Sequence, residues 1–156
     1  VANSQAICTS FKVEILLGQH QLGTATLTSR SSLTSPTTDT VKAALFLVSG
    51  SLGAATTAYS ATSEVSGTNY TAGGVTVTNA TAPTSSGTTA FWTPSASLSW
   101  TTVTLATAFD CVLVYNSTQS NRAIGVYTFG STTITGGNLT ITMPTNDSSN
   151  ALLRIA

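Results

Sequence analysis

Beyond Val41 the chain breaks into short runs of Val, Ile, Thr, Tyr and Phe separated by clusters of Gly, Asn, Pro and Ser, with no helical periodicity between any two of them. Parallel strands need long, usually helical crossovers, so this punctuation excludes alternating βαβ order and leaves antiparallel strands. Eight are expected, at Val41–Ser49, Thr57–Val65, Val75–Asn79, Thr88–Trp92, Leu98–Leu105, Phe109–Tyr115, Ala123–Phe129 and Asn138–Met143, with Leu152–Ala156 a candidate ninth. Alternation at Val75-Thr76-Val77-Thr78 and Leu139-Thr140-Ile141-Thr142 puts one face in a core and the other in water. Ala43–Val48 and Cys111–Tyr115 are almost wholly apolar, as central strands covered on both faces are. The pattern predicts an all-β fold, a jelly-roll-like β-sandwich of eight or nine antiparallel strands, with a closed barrel as the other architecture it permits.

The first 40 residues are different. Ile7, Phe11, Ile15 and Leu22, with Cys8 and Leu16 beside them, are spaced as one face of a helix between Ser4 and Leu22, capped by Asn3 or Ser4 and ended by Gly18 or Gly23. Gly23–Thr40 holds Pro36 and few large apolar side chains, and predicts an extended arm. The expected organisation is therefore a helix and arm over residues 1–40 and a sandwich domain over 41–156. The sandwich has strands enough to close its own core, so the apolar stripe is expected against a neighbouring subunit, with burial against this chain's own sheets as the alternative. Ile7, Phe11, Ile15, Leu22 and, in the arm, Arg30 are the candidate interface residues.

Composition narrows the partners. Only 6% of residues are charged and the formal net charge is zero, against roughly 25% charged in an average domain. The surface is instead wetted by hydroxyls, from 32 Thr and 21 Ser. A nucleic-acid binder clusters Lys and Arg to displace counterions, but Lys12, Arg30, Lys42, Arg122 and Arg154 are scattered singly. Neither nucleic acid nor an anionic membrane is an expected partner. A 41% hydrophobic content argues for a folded chain, and near-zero net charge removes a barrier to self-association. No run approaches the length of a membrane span, and no basic segment ahead of an apolar run signals secretion. Cys8 and Cys111 lack zinc-ligand spacing and are expected to be buried free thiols.

Catalytic constellations are weak. His20, the only histidine, has no sequence partner and is expected to be exposed or at an interface, and no G-x-S-x-G elbow occurs. Glu14, Asp39, Glu64, Asp110 and Asp147 are not spaced as a glycosidase pair, and Asp110 is expected to meet Arg122 or a backbone amide. No enzyme, cofactor or metal site is expected; Asn146-Asp147 is the nearest approach to a calcium loop. Aromatics such as Trp92 and Trp100 could stack on sugars, but their strand positions favour packing, with these two facing each other across a hairpin. The sequons starting at Asn69, Asn79, Asn116, Asn138 and Asn146 are what so Ser- and Thr-rich a chain produces by composition.

The most distinctive segment runs from Tyr59 through Glu64-Val65-Ser66-Gly67-Thr68 to Tyr70-Thr71-Ala72-Gly73-Gly74: a strand, a tight turn, and a Gly pair suited to positive φ. This phrase resembles the small virion proteins of tailed bacteriophages. Ala2-Asn3-Ser4, the run Ser10–Gly18 with His20, Phe109–Asn116 and Met143-Pro144-Thr145-Asn146-Asp147 are similar to the same group, so that the resemblance spans nearly the whole chain. It implies a capsid cement or decoration protein: a jelly-roll module made in the host cytoplasm, located on the virion surface, partnered by the major capsid protein and by itself as a dimer or trimer, and without catalytic residues. The alternative is a receptor- or glycan-binding module of a phage head or tail fibre.

Overall fold

The computed structural model describes residues 2–23, 38–78 and 80–156. It is an all-β sandwich of two antiparallel sheets with one short helix. In chain order the elements are β1 (Ala6–Ile7), α1 (Thr9–Leu16), β2 (Val41–Leu47), β3 (Val75–Thr76), β4 (Thr84–Ser86), β5 (Thr89–Trp92), β6 (Leu98–Asn116), β7 (Arg122–Ile141) and β8 (Leu153–Ile155). The larger sheet has the order β1-β7-β6-β2-β3 and the smaller β4-β5-β8, so the sandwich is five strands on three.

Its backbone is the β6–β7 hairpin. Four of the expected strands fuse here into two, because the stretches that read as breaks are bulges inside continuous strands. Cys111 pairs with Thr128 and Phe109 with Thr132, so four residues of β7 span two of β6; further slips separate Trp100↔Leu139, Val103↔Gly137 and Leu105↔Ile134. Gly136 takes φ +58° in one of these slips and Thr102 takes φ +52° in another. A β-branched residue rarely adopts that conformation. Two asparagines hold it there, the Asn138 side chain accepting from Thr102 N at 2.8 Å and Asn69 Nδ2 donating to Thr102 O at 2.9 Å.

The two apolar runs are central, as expected: β2 pairs with β6 from Val41↔Asn116 to Leu47↔Phe109, and Ala43, Leu45, Phe109, Cys111 and Leu113 are fully buried. The expected strand Thr57–Val65 is not one. It meets the sheets only at the single bridges Ala58↔Arg122 and Glu64↔Phe46, and side-chain hydrogen bonds replace the ladder. Glu64 accepts from Tyr59 Oη at 2.6 Å, Tyr70 Oη at 2.8 Å and Gly73 N at 2.8 Å. Tyr70 Oη also accepts from Leu45 N, Tyr115 Oη donates to Gly73 O, and the Tyr59 and Tyr115 rings stack at 4.6 Å. The tyrosines, Glu64 and Gly73 of the distinctive segment thus form one knot over β2 and β6. At Gly74, φ +70°, any Cβ would overlap the Ala43 carbonyl. Burial first, then the carboxylate of Glu64, raises the hydroxyl pKa of Tyr59.

The N-terminal segment departs most from expectation. The helix covers Thr9–Leu16 and not Ser4–Leu22, because Ala6–Ile7 instead extends the large sheet at Val126 and Gly125. Asn3 is not its cap; the side chain donates to Leu47 O and to Asp110 Oδ1 and accepts from Leu52 N. Gly18, at φ +69°, follows the helix end. Cys8 and Phe11 belong to the same core as the strands, so residues 2–23 complete the sandwich rather than hang from it. The two tryptophans do not face each other across a hairpin: Trp92 is in the smaller sheet and Trp100 in the larger, and both are buried.

Candidate interaction surface

The surface that stands out is built by a helix whose polarity is inverted. The residues α1 buries are Phe11 and Glu14, whereas Val13, Leu16 and Leu17 are 54%, 88% and 65% exposed. An isolated eight-residue helix is marginal in water, so the orientation must be imposed by what Glu14 binds.

Glu14 Oε1 receives Arg122 Nη1 at 2.5 Å and Oε2 receives His20 Nε2 at 2.7 Å. His20 Nδ1 faces Asn116 Nδ2 at 3.0 Å. With Nε2 donating to a carboxylate and Nδ1 accepting from an amide, the ring is the Nε2–H tautomer. Asn116 cannot turn its amide over, because its Oδ1 already accepts from Thr118 N and Gln119 N. Its Nδ2 also donates to Asp39 Oδ2 at 2.6 Å, and Asp39 accepts from Gln21 N and Gln119 Nε2 as well. Burial pushes the Glu14 carboxyl up, but the hydrogen bonds from His20 and Arg122 and the charge of Arg122 outweigh it and hold the group below its ordinary value. His20 is therefore not exposed: its side chain is 1% accessible and packs edge-on against Phe11 at 4.8 Å. Arg122 answers Glu14 and not Asp110, whose partner is Asn3.

With the helix so anchored, a groove of about 660 Å³ opens between α1 and the smaller sheet. Ile7, Ile15, Leu22, Phe91, Leu153 and Ile155 line it, and Ile155 is 56% exposed. The expected interface residues therefore separate. Ile7, Ile15 and Leu22 come together at the groove, half-buried against the core. Phe11 also lines the groove but is 1% exposed and packs in the core. Arg30 lies outside the described residues. Leu16 stands beside the expected stripe and Ile155 in a candidate strand, but neither they nor Leu17 are among the candidate interface residues, because only their exposure distinguishes them from core residues.

Lys12 and Arg154 also line the groove, which no acidic residue does. Both ion pairs among the described residues belong to Glu14, and Arg154 donates only to Ser148 O, at 3.4 Å. Cys8 and Cys111 are buried free thiols, whose pKa values burial pushes up to about 11 and about 12. Among the described residues no three His, Cys, Asp or Glu side chains gather to hold a metal ion, and no helix is long and apolar enough to cross a membrane. No family model, curated protein or solved structure matches the chain.

Proposed function

We propose that this protein is a capsid cement protein, attached to the outside of a tailed-phage head and joining neighbouring major capsid proteins. The observation that carries the reading is the exposed apolar surface of Leu16 and Ile155 at the groove, with Val13 and Leu17 exposed beside Leu16 on and just after α1. A chain otherwise wetted by Ser and Thr gains nothing in water from such a patch, and contiguous exposed apolar surface marks interaction sites. The resemblance of the Tyr59–Gly74 segment and of the termini to small virion proteins supplies the identity of the partner.

Magnitudes favour many weak contacts over one strong one. Burying four aliphatic side chains gives at most roughly 6–12 kcal/mol, and association costs about 4–15 kcal/mol in lost freedom. One groove therefore gives a weak complex, and tight attachment follows when self-association into a dimer or trimer lets several grooves engage at once.

The test is the protein content and stability of purified particles. A cement protein approaches the major capsid protein in abundance, and particles stripped of it lose integrity at lower temperature. Presence in a few copies per particle, with heat resistance unchanged by its removal, would replace this reading with a fibre-borne receptor- or glycan-binding module.

A further inference from the structure

The groove continues into a second hollow of about 410 Å³, lined by Gln5, Ala6, Tyr127 and Leu152 and sharing Ile7 and Arg154 with the first. Together they form one cleft with β1 on one wall and β8 on the other. Each wall is the last strand of its sheet among the described residues, where β1 pairs with β7 alone and β8 with β5 alone. Ala6 and Ile7 of β1 and Leu153, Arg154 and Ile155 of β8 line the two hollows, and the last strand of a sheet presents N–H and C=O groups that another extended chain can satisfy.

We propose that the cleft between β1 and β8 receives an extended segment of a different protein, apolar on one face and carrying at least one carboxylate, which adds as a strand to a free edge and pairs with Lys12 and Arg154. The apolar lining selects alternate apolar side chains, as in strand addition generally. Charge complementarity selects the carboxylate, because among the described residues neither cation at the cleft pairs with an Asp or Glu and no Asp or Glu side chain lines either hollow.

The same bookkeeping argues against a second copy of this chain as the donor. Its five carboxylates are all engaged within the chain: Glu14 by Arg122 and His20, Asp39 by Asn116 and Gln119, Glu64 by Tyr59 and Tyr70, Asp110 by Asn3, and Asp147 by Ser149 N and Asn150. A second copy has no side-chain carboxylate to give up without breaking its own structure. The identity of the donor as a capsid protein rests on the function proposed above; its chemistry rests on the cleft.

The experiment selects binders from a random display library of peptides about 12 residues long, using the full chain as bait. Selected peptides are then synthesised and titrated against the chain and its Lys12→Glu/Arg154→Glu variant. The expected winners alternate apolar and polar residues, contain Asp or Glu and lack internal Pro. The double variant, melting at an unchanged temperature, should bind them at least tenfold more weakly, and bound peptide should slow amide exchange at Ala6–Ile7 or Leu153–Ile155. Neutral or basic winners, affinity indifferent to the charge reversal, exchange unchanged at both edges, or no enrichment at all would each overturn the proposal. If acidic peptides are selected but the protein is absent from virions, the capsid reading fails and the cleft chemistry stands. If it is abundant in virions but acidic strands are not selected, the reverse holds.

Discussion

Glu14 and Arg122 meet at 2.5 Å across 108 residues of sequence, joining the N-terminal helix to the first residue of β7. This ion pair, with the His20 bond on the other carboxylate oxygen, turns a polar face of α1 inward and leaves apolar side chains outside. The exposed surface is thus a product of a buried charge, and its integrity depends on that charge.

Stability should therefore fall with acid in a way that Glu14→Gln removes. The folded-state pKa of Glu14 is depressed below an unfolded value of about 4.3. Its contribution is present above the unfolded pKa and is lost as pH falls through the folded one. Melting temperatures of the wild type and Glu14→Gln between pH 7 and pH 3 should converge as pH drops, with the variant lower at pH 7. Parallel curves would show that the pair adds nothing.

Phe11 and Leu16 stand five residues apart on one helix and should behave oppositely. Phe11→Ala opens a cavity in the core and should cost about 3–5 kcal/mol, read in denaturant unfolding. Leu16→Asp, at a position 88% exposed, should stay within about 0.5 kcal/mol of the wild type while attachment to particles is lost. Unchanged attachment of Leu16→Asp would remove α1 from the contact surface.

Tyr70→Phe tests the knot over β2. The hydroxyl is shared between Glu64 and Leu45 N, so its removal strands the Leu45 amide and leaves Glu64 Oε1 with the Gly73 N–H alone. A loss of about 1–3 kcal/mol is expected. The measurement is chemical denaturation with an unchanged slope, and a neutral result would mean that solvent reaches the site.

Thr102→Gly should stabilise the protein. Left-handed backbone at a non-glycine residue stores about 1–3 kcal/mol, and glycine returns only about 0.5–1 kcal/mol of that as extra unfolded-state entropy. Melting should rise by a few degrees, whereas Asn138→Ala, which removes the acceptor for Thr102 N, should lower it.

Both thiols should resist modification in the native state. With pKa values raised to about 11 and about 12 by burial, Cys8 and Cys111 present almost no thiolate at pH 8. A colorimetric thiol reagent should find no reactive group until the chain is unfolded, and then two.

The sandwich was legible in the sequence where strands are buried on both faces: Ala43–Leu47 and Cys111–Tyr115 are apolar because β2 and β6 lie at the centre. Where glycines interrupt β7 the sequence misled, since Gly130, Gly136 and Gly137 serve bulges as well as turns. Spacing of Ile7, Phe11 and Ile15 predicted one helical face, but a strand residue, a core residue and a groove residue share that spacing. The anchor was invisible for a different reason. Glu14, His20, Asp39, Asn116 and Arg122 come from four separate parts of the chain, and no local pattern records a contact made only in three dimensions. The Tyr59–Gly74 segment was singled out correctly as unusual; its tyrosines and glycines answer to Glu64 and to the close approach of β2.

Asp39 also ties off the chain between it and Gln21. Its side chain accepts from Gln21 N at 2.8 Å and its own N–H donates to Gln21 O at 3.3 Å, so Gln21 and Asp39 are fastened to each other. Asp39 thereby couples Gln21 to Asn116, whose amide also meets His20, so that one carboxylate holds the chain beside the groove and the Glu14 anchor in a single linkage.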